Sequence, residues 1–128
     1  MYPPVAQPGD TVTLFVKARV AEGHHIYALE DSGSKNLPTT LEAKPSAPGL
    51  TSDGPWRGPV PKSGDNGSRI YTGELFFRQV FLVDSIRARA GSYNVPVQLR
   101  FQVCNEALCW PPEAISLETT LEVRPKNK

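Results

Sequence analysis

The chain has little of what marks a membrane-spanning or nucleic-acid-binding protein. No window approaches the ~18 uninterrupted apolar residues that a spanning helix requires. The formal net charge is only +1, and the 14 Lys and Arg residues are scattered along the chain, so there is no basic footprint for nucleic acid. There are only two cysteines. Their closeness suits either an oxidising compartment, where disulfides persist, or a dithiol that cycles between two states.

The N-terminal segment lacks both a charged region and an apolar region, so no signal peptide is expected. This leaves a cytoplasmic protein or an excised mature domain with an added Met1. A chain of 128 residues favours one compact domain over residues 1–128. Within it, residues 1–10 are predicted to be an N-terminal extension, and residues 124–128 the start of a linker.

The apolar pattern predicts an all-β protein. Residues 11–20 alternate apolar and polar side chains, and residues 93–104 do so most strongly, which is typical of half-buried strands. No segment has a sustained helical stripe with caps, and 13 prolines and 10 glycines favour many turns. Six to eight short strands at this spacing predict an immunoglobulin-like antiparallel β-sandwich. The further strand candidates are 24–30, 38–44, 69–83 and 114–123, with an irregular region over 45–68.

The two cysteines lie in the stretch QVCNEALCWPPE, residues 102–113. Cys104 is in phase with the polar residues of its strand, so the pattern predicts that it faces away from the core. A disulfide to Cys109 would close a hairpin easily. It would stabilise the fold by only ~2 kcal/mol in the chain-entropy model, against ~4.7 kcal/mol for a 100-residue loop. An exposed ring of this kind can be attacked by an external thiolate.

The residues after Cys109 fit two interpretations. Trp110 could offer an apolar contact surface, while Pro111 and Pro112 stiffen the returning strand and hold Cys109 in place. Alternatively, Trp110 belongs to the core and the prolines protect a sheet edge. The residues alone therefore leave open a redox pair or a structural hairpin disulfide.

The segment VCNEALCWPPE resembles the active-site segment of the N-terminal periplasmic domain of DsbD-type thiol:disulfide interchange proteins. The pattern is a Cys pair, then an aromatic or aliphatic residue, then Pro-Pro-Glu. Three other segments fit in the right order, so that the resemblance covers most of the chain: EGHHIYAL (22–29), LPTTLE (37–42) and SRIYTGELFF (68–77).

This resemblance implies a periplasmic immunoglobulin-like domain with a catalytic dithiol, which is part of an inner-membrane protein. It would receive electrons from a thioredoxin-like domain of the same polypeptide and reduce thioredoxin-fold partners, an activity connected with cytochrome c biogenesis. Cys109 would form the mixed disulfide, and Cys104 would resolve it. The parent protein would lie in the membrane, whereas the isolated domain would lie outside it and be a monomer. The domain would bind no nucleic acid and need no cofactor or metal.

The resemblance also implies which residues surround the cysteines. A covering loop with an aromatic cap is expected over the disulfide, but residues 62–69 contain no aromatic residue, so Trp56 or Tyr71 supplies the cover or the site stays open. A protonated His25 could lower the pKa of a thiol, or it could be a surface histidine with no role. The residues expected to line the site are Tyr27, His25, Trp110, Pro111, Glu113 and Tyr71.

Two other functions remain as alternatives. One is an immunoglobulin-like binding module in which the disulfide is a passive clip. The other is a copper-binding domain in which His24 or His25 joins the cysteines as ligands. Adjacent residues of a strand point to opposite faces, so both histidines cannot easily bind one ion.

Overall fold

The computed structural model describes residues 1–29, 36–64 and 67–125. Residues 126–128 of the predicted linker lie outside this described part. No α-helix occurs in the described ranges, and none of their elements is a helix with the length and apolarity to cross a membrane. The strands are β1 (Val5–Ala6), β2 (Thr11–Arg19), β3 (Ile26–Leu29), β4 (Pro38–Ala43), β5 (Leu50–Ser52), β6 (Lys62–Ser63), β7 (Arg69–Tyr71), β8 (Glu74–Val83), β9 (Gly91–Phe101) and β10 (Glu113–Val123).

These strands form the predicted immunoglobulin-like sandwich of two sheets. One sheet has the order β1-β10-β9-β4-β3-β7-β6 and the other the order β2-β8-β5. Most neighbours are antiparallel, but β1 pairs with β10 and β3 pairs with β4 in parallel. The prediction of an all-β sandwich is therefore confirmed, with two parallel pairings that alternation along the sequence cannot reveal, because it specifies faces rather than directions.

The alternating residues of β2 and β9 supply the core, as their patterns predict, together with alternate residues of β8. Phe77 is fully buried, and Leu14 and Val95 are 1 % exposed or less. The bend between β7 and β8 is at Gly73, which has a φ of 71°, a conformation that glycine adopts without steric cost. The period of two thus correctly assigned the faces of β2 and β9.

The first ten residues are part of the sandwich rather than an appendage. β1 lies beside the C-terminal end of β10. The backbone amides of Tyr2 and Thr13 each donate to the other residue's carbonyl, both at 2.7 Å. The predicted irregular region over 45–68 likewise contributes two short strands, β5 and β6. Segments this short carry too few residues for a period to be visible in the sequence.

One end of the sandwich is incompletely covered. Ile115 and Leu117 have the same parity along β10 as the buried Leu121 and Val123, so they face inward. They are nevertheless 43 % and 38 % exposed, and they line an open groove together with Lys17 and Arg19 of β2. The cysteine hairpin lies at the same end, beyond the last residue of β9.

Candidate functional site: the cysteine hairpin

The two cysteines are joined as a disulfide across a tight hairpin. Their Cα atoms are 4.0 Å apart, and they face each other in an isolated antiparallel bridge. The backbone amide of Asn105 donates to the carbonyl of Leu108 at 2.9 Å, and that of Trp110 donates to the carbonyl of Val103 at 2.9 Å. The hairpin is thus closed on both sides of the bridge by main-chain hydrogen bonds.

Asn105 holds the turn of this hairpin. Its Oδ1 accepts hydrogen bonds from the backbone amides of Ala107 and Leu108, both at 2.8 Å. Such bonds from an Asn side chain to the backbone two and three residues later are typical of turns. The side chain therefore keeps the two cysteines at bonding distance by local contacts alone.

Replacing Asn105 with alanine should make the disulfide easier to reduce. Each lost hydrogen bond contributes about 0.5–1.5 kcal/mol net, and without them the reduced hairpin brings its thiols together less often. We expect the reduction potential to rise by up to ~30 mV, the equivalent of ~1.4 kcal/mol for a two-electron couple. Equilibration with a glutathione buffer measures it. Asn105→Asp, which keeps the acceptor oxygen, should shift the reduction potential less. Equal shifts of the potential in both variants would contradict the role of Asn105 in holding the turn.

The two sulfur-bearing residues differ sharply in exposure. Cys104 is 1 % exposed, whereas Cys109 is exposed to solvent. Cys104 is buried because it lies between two neighbours: its amide and carbonyl exchange hydrogen bonds of 3.0 and 2.9 Å with His25, and Cys109 lies on its other side. The phase argument that placed Cys104 away from the core was wrong, because β9 ends at Phe101 and its alternation does not continue to residue 104.

His25 and Tyr27 form the wall beside Cys104. Cross-strand partners share a face of the sheet, so the side chain of His25 lies on the side of Cys104. Its ring meets that of Tyr27 edge-on at 5.3 Å between centroids, with Nε2 3.2 Å from the Tyr27 hydroxyl. The amide of Asn36 donates to the same hydroxyl at 2.9 Å. The structure therefore pairs His25 with the buried cysteine and places Tyr27 against the ring of His25.

Trp110 lies on the other side of the hairpin, beside the exposed cysteine. It is 40 % exposed, so it does not belong to the core, and its ring centroid is 5.3 Å from that of His24. Pro111 is exposed on the returning chain, and Glu113 is the exposed first residue of β10. The predicted neighbours that follow Cys109 thus form a solvent-facing rim.

Gln102 is a positioning residue that the sequence pattern did not indicate. Its Oε1 accepts from the backbone amide of Leu37 at 3.0 Å, and its Nε2 donates to the carbonyl of Trp110 at 3.2 Å. It therefore links the hairpin to the chain that enters β4. In the sequence it is one of several polar residues in an alternating strand, and only its tertiary partners distinguish it.

Tyr71 does not line the site, contrary to the expectation. It is 4 % exposed and packs edge-on against Phe77, with 5.7 Å between ring centroids. Burial raises the pKa of its hydroxyl, and this is partly offset by a hydrogen bond that the phenol oxygen accepts from the backbone of Leu29. Because Tyr71 faces inward from β7, it is a core residue.

The expected aromatic cap is supplied neither by Tyr71 nor by Trp56. Trp56 borders a separate surface pocket with Leu41 and Phe81. Cys109 itself is exposed, and residues 65–66 of the stretch expected to cover the site lie outside the described part of the chain.

The histidines and cysteines do not form a metal site among the described residues, in which no three His, Cys, Asp or Glu side chains come together. The sulfur ligands that a copper site would need are bonded to each other. The two histidines point to opposite faces, as their adjacency predicts, since the ring of His24 contacts Trp110 and that of His25 contacts Tyr27.

Comparison with known proteins connects this hairpin to one family. A family model described as thiol:disulfide interchange protein DsbD, N-terminal, matches residues 2–121. A crystal structure of the Neisseria meningitidis DsbD N-terminal domain in the reduced form is similar at 18 % identity, with 84 % of this chain and 79 % of that chain covered and a TM-score of 0.43. No curated protein matches the chain. The family match includes both cysteines and all strands up to Leu121.

Proposed function

Because the chain belongs to the family of DsbD N-terminal domains, we propose that it is a periplasmic protein-disulfide reductase domain. It would pass electrons from a thioredoxin-like domain of the same polypeptide to thioredoxin-fold partners, within an inner-membrane protein that serves cytochrome c biogenesis. The domain would act as a monomer. The coarser function, thiol–disulfide exchange, fits both the family and the bonded cysteine pair.

The observation that carries this proposal is the unequal exposure of the two cysteines. Exchange proceeds by in-line attack of a thiolate on a sulfur atom, so the attacked or attacking sulfur must be reachable. Cys109 is exposed, and Cys104 is 1 % exposed. A passive clip needs no such difference, whereas a two-step exchange needs one sulfur for the partner and one held in reserve behind it.

The chemistry balances with sulfur alone. In the reduced domain, the Cys109 thiolate attacks a partner disulfide, forms a mixed disulfide and releases one partner thiolate. The Cys104 thiolate then attacks the Cys109 sulfur and releases the second partner thiolate, so two electrons leave the domain and its own disulfide forms. To recharge the domain, one thiolate of the thioredoxin-like domain attacks Cys109 and releases the Cys104 thiolate. The second thiolate of that domain then attacks its own sulfur in the mixed disulfide and releases the Cys109 thiolate, so that both cysteines are reduced again.

His25 would act on the second of these steps. Its position opposite Cys104 means that a protonated imidazole would favour the thiolate of Cys104 rather than that of Cys109. This remains a prediction, which a titration of the reduced thiols in wild type and His25→Phe would measure.

Equilibration with thioredoxin tests the proposed function. The oxidised domain should be reduced by reduced thioredoxin with a second-order rate constant above that of dithiothreitol, because a protein partner can be held at Cys109. Trp110 adjoins the disulfide, so its fluorescence is a suitable signal. A disulfide that thioredoxin leaves intact, or reduces no faster than dithiothreitol does, would instead indicate the structural clip of a binding module.

A further inference from the structure

The first half of β10 is an open sheet edge. β10 pairs with β9 along its whole length, but β1 covers only Glu122 and Val123 on the other side. The amides of Glu122 and Arg124 donate toward β1, to Pro4 and Ala6, both at 2.9 Å. In an antiparallel ladder this direction repeats every second residue.

The amides and carbonyls of the even-numbered residues 114, 116 and 118 therefore point away from β9. No backbone partner for them occurs among the described residues, and the side chains of residues 113–118 are all exposed. Unpaired backbone groups of this kind are a template for one more strand.

An apolar groove runs along the same segment. It has a volume of about 480 Å³, and its walls include Leu99, Phe101, Val103, Ile115, Leu117 and Trp110. Trp110 adjoins Cys109, so the groove and the open edge begin beside the exposed sulfur. Three residues separate Cys109 from Glu113, so the four steps between them span at most ~13 Å in an extended chain. A partner that reaches Cys109 is therefore positioned to cover the edge as well.

Charge argues against a second copy of this chain as the occupant. Residues 102–123 contain four glutamates (Glu106, Glu113, Glu118 and Glu122) and no lysine or arginine. Pairing β10 with β10 of another copy would bring two such acidic segments together, and like charges across strands are destabilising. The basic residues at the groove lie on its far wall, Lys17 and Arg19 of β2, and Lys17 already pairs with Glu74 at 3.6 Å.

We propose that the open edge of β10 over residues 113–118, with the adjoining groove, docks an extended apolar segment of the thioredoxin-fold partner. The segment adds to β10 as a further strand and lays its apolar side chains over Ile115 and Leu117. Its residues opposite Glu113 and Glu118 are not acidic. Main-chain bonds supply affinity, and the groove supplies selectivity, as in other cases of strand addition. This inference rests on the proposed function and names the surface by which the partner is held.

The experiment compares two reductants of the oxidised domain, reduced thioredoxin and dithiothreitol. Ser116→Pro removes one outward-facing amide without touching the ladder with β9. We expect it to slow reduction by thioredoxin about 10-fold or more, the equivalent of losing ~1.4 kcal/mol of docking energy. The rate with dithiothreitol should stay within about 2-fold, because this small thiol does not need the edge. Ser116→Ala, which keeps the amide, should behave as wild type with both.

Leu117→Lys provides a second variant with an intact backbone, in case Ser116→Pro does not fold by circular dichroism. It places a charge in the groove and should also slow thioredoxin selectively. Wild-type rates with thioredoxin in the folded variants would overturn the docking surface while leaving the proposed function standing. A wild-type domain that thioredoxin reduces no faster than dithiothreitol would instead count against the function itself. A dimer in sedimentation analysis that Ser116→Pro disperses would assign the edge to a second copy and overturn the proposal.

Discussion

Cys104→Ala should accumulate a covalent complex with a thioredoxin-fold protein, and Cys109→Ala should not. In the first variant the remaining thiol is the exposed one, and the residue that would release the partner is gone. In the second, the remaining thiol belongs to Cys104, which is 1 % exposed and lies behind its neighbours. We expect at least ~10-fold more complex with Cys104→Ala, because exchange depends on access to the attacking sulfur.

The measurement uses a thioredoxin that carries only its exposed active-site cysteine, activated as a mixed disulfide with an aromatic thiol. Non-reducing electrophoresis and mass spectrometry then quantify the complex. The double variant, Cys104→Ala with Cys109→Ala, is the control for non-specific coupling. Equal trapping by the two single variants would contradict the assignment of Cys109 as the sulfur that meets the partner.

Phe77→Ala should lower the free energy of unfolding by about 3–5 kcal/mol, the usual loss for a buried aromatic side chain. Phe77 is 0 % exposed and packs against Tyr71 in the core. Its neighbour Phe76 is a matched control on the opposite face of β8: it is 54 % exposed, with Lys17 Nζ 5.7 Å from its ring centroid. Phe76→Ala should cost less than ~1 kcal/mol, as most surface substitutions do.

Urea denaturation of the two variants gives both values. The loss of packing in Phe77→Ala should also loosen the cysteine site. Tyr71, which packs on Phe77, pairs with Ile26. The preceding residue, His25, holds Cys104 by two backbone hydrogen bonds. We therefore expect the reduced Cys104 thiol of Phe77→Ala to react faster with a small alkylating reagent. Similar stability losses for the two phenylalanines would contradict the assignment of faces in β8.

The site illustrates which features a sequence pattern can and cannot predict. The hairpin and its bonded cysteines follow from local information, because the hairpin is closed by contacts between residues at most seven positions apart. The burial of Cys104 does not, since it depends on pairing with His25, 79 positions away along the printed sequence. Tyr71 was misplaced for the same reason: its position in the segment SRIYTGELFF does not tell which face of β7 it occupies.

By itself, the amino-acid sequence determined the all-β class, the inward faces of β2 and β9 and the position of the cysteine pair, because alternation and turn chemistry act over a few neighbouring residues. Only the tertiary structure decided which sulfur is exposed, where β1 attaches and that the first half of β10 is left without a neighbour. Those features arise where distant strands meet or fail to meet. The pairing of such strands is set by the packing of whole sheets, and no short stretch of sequence contains that information.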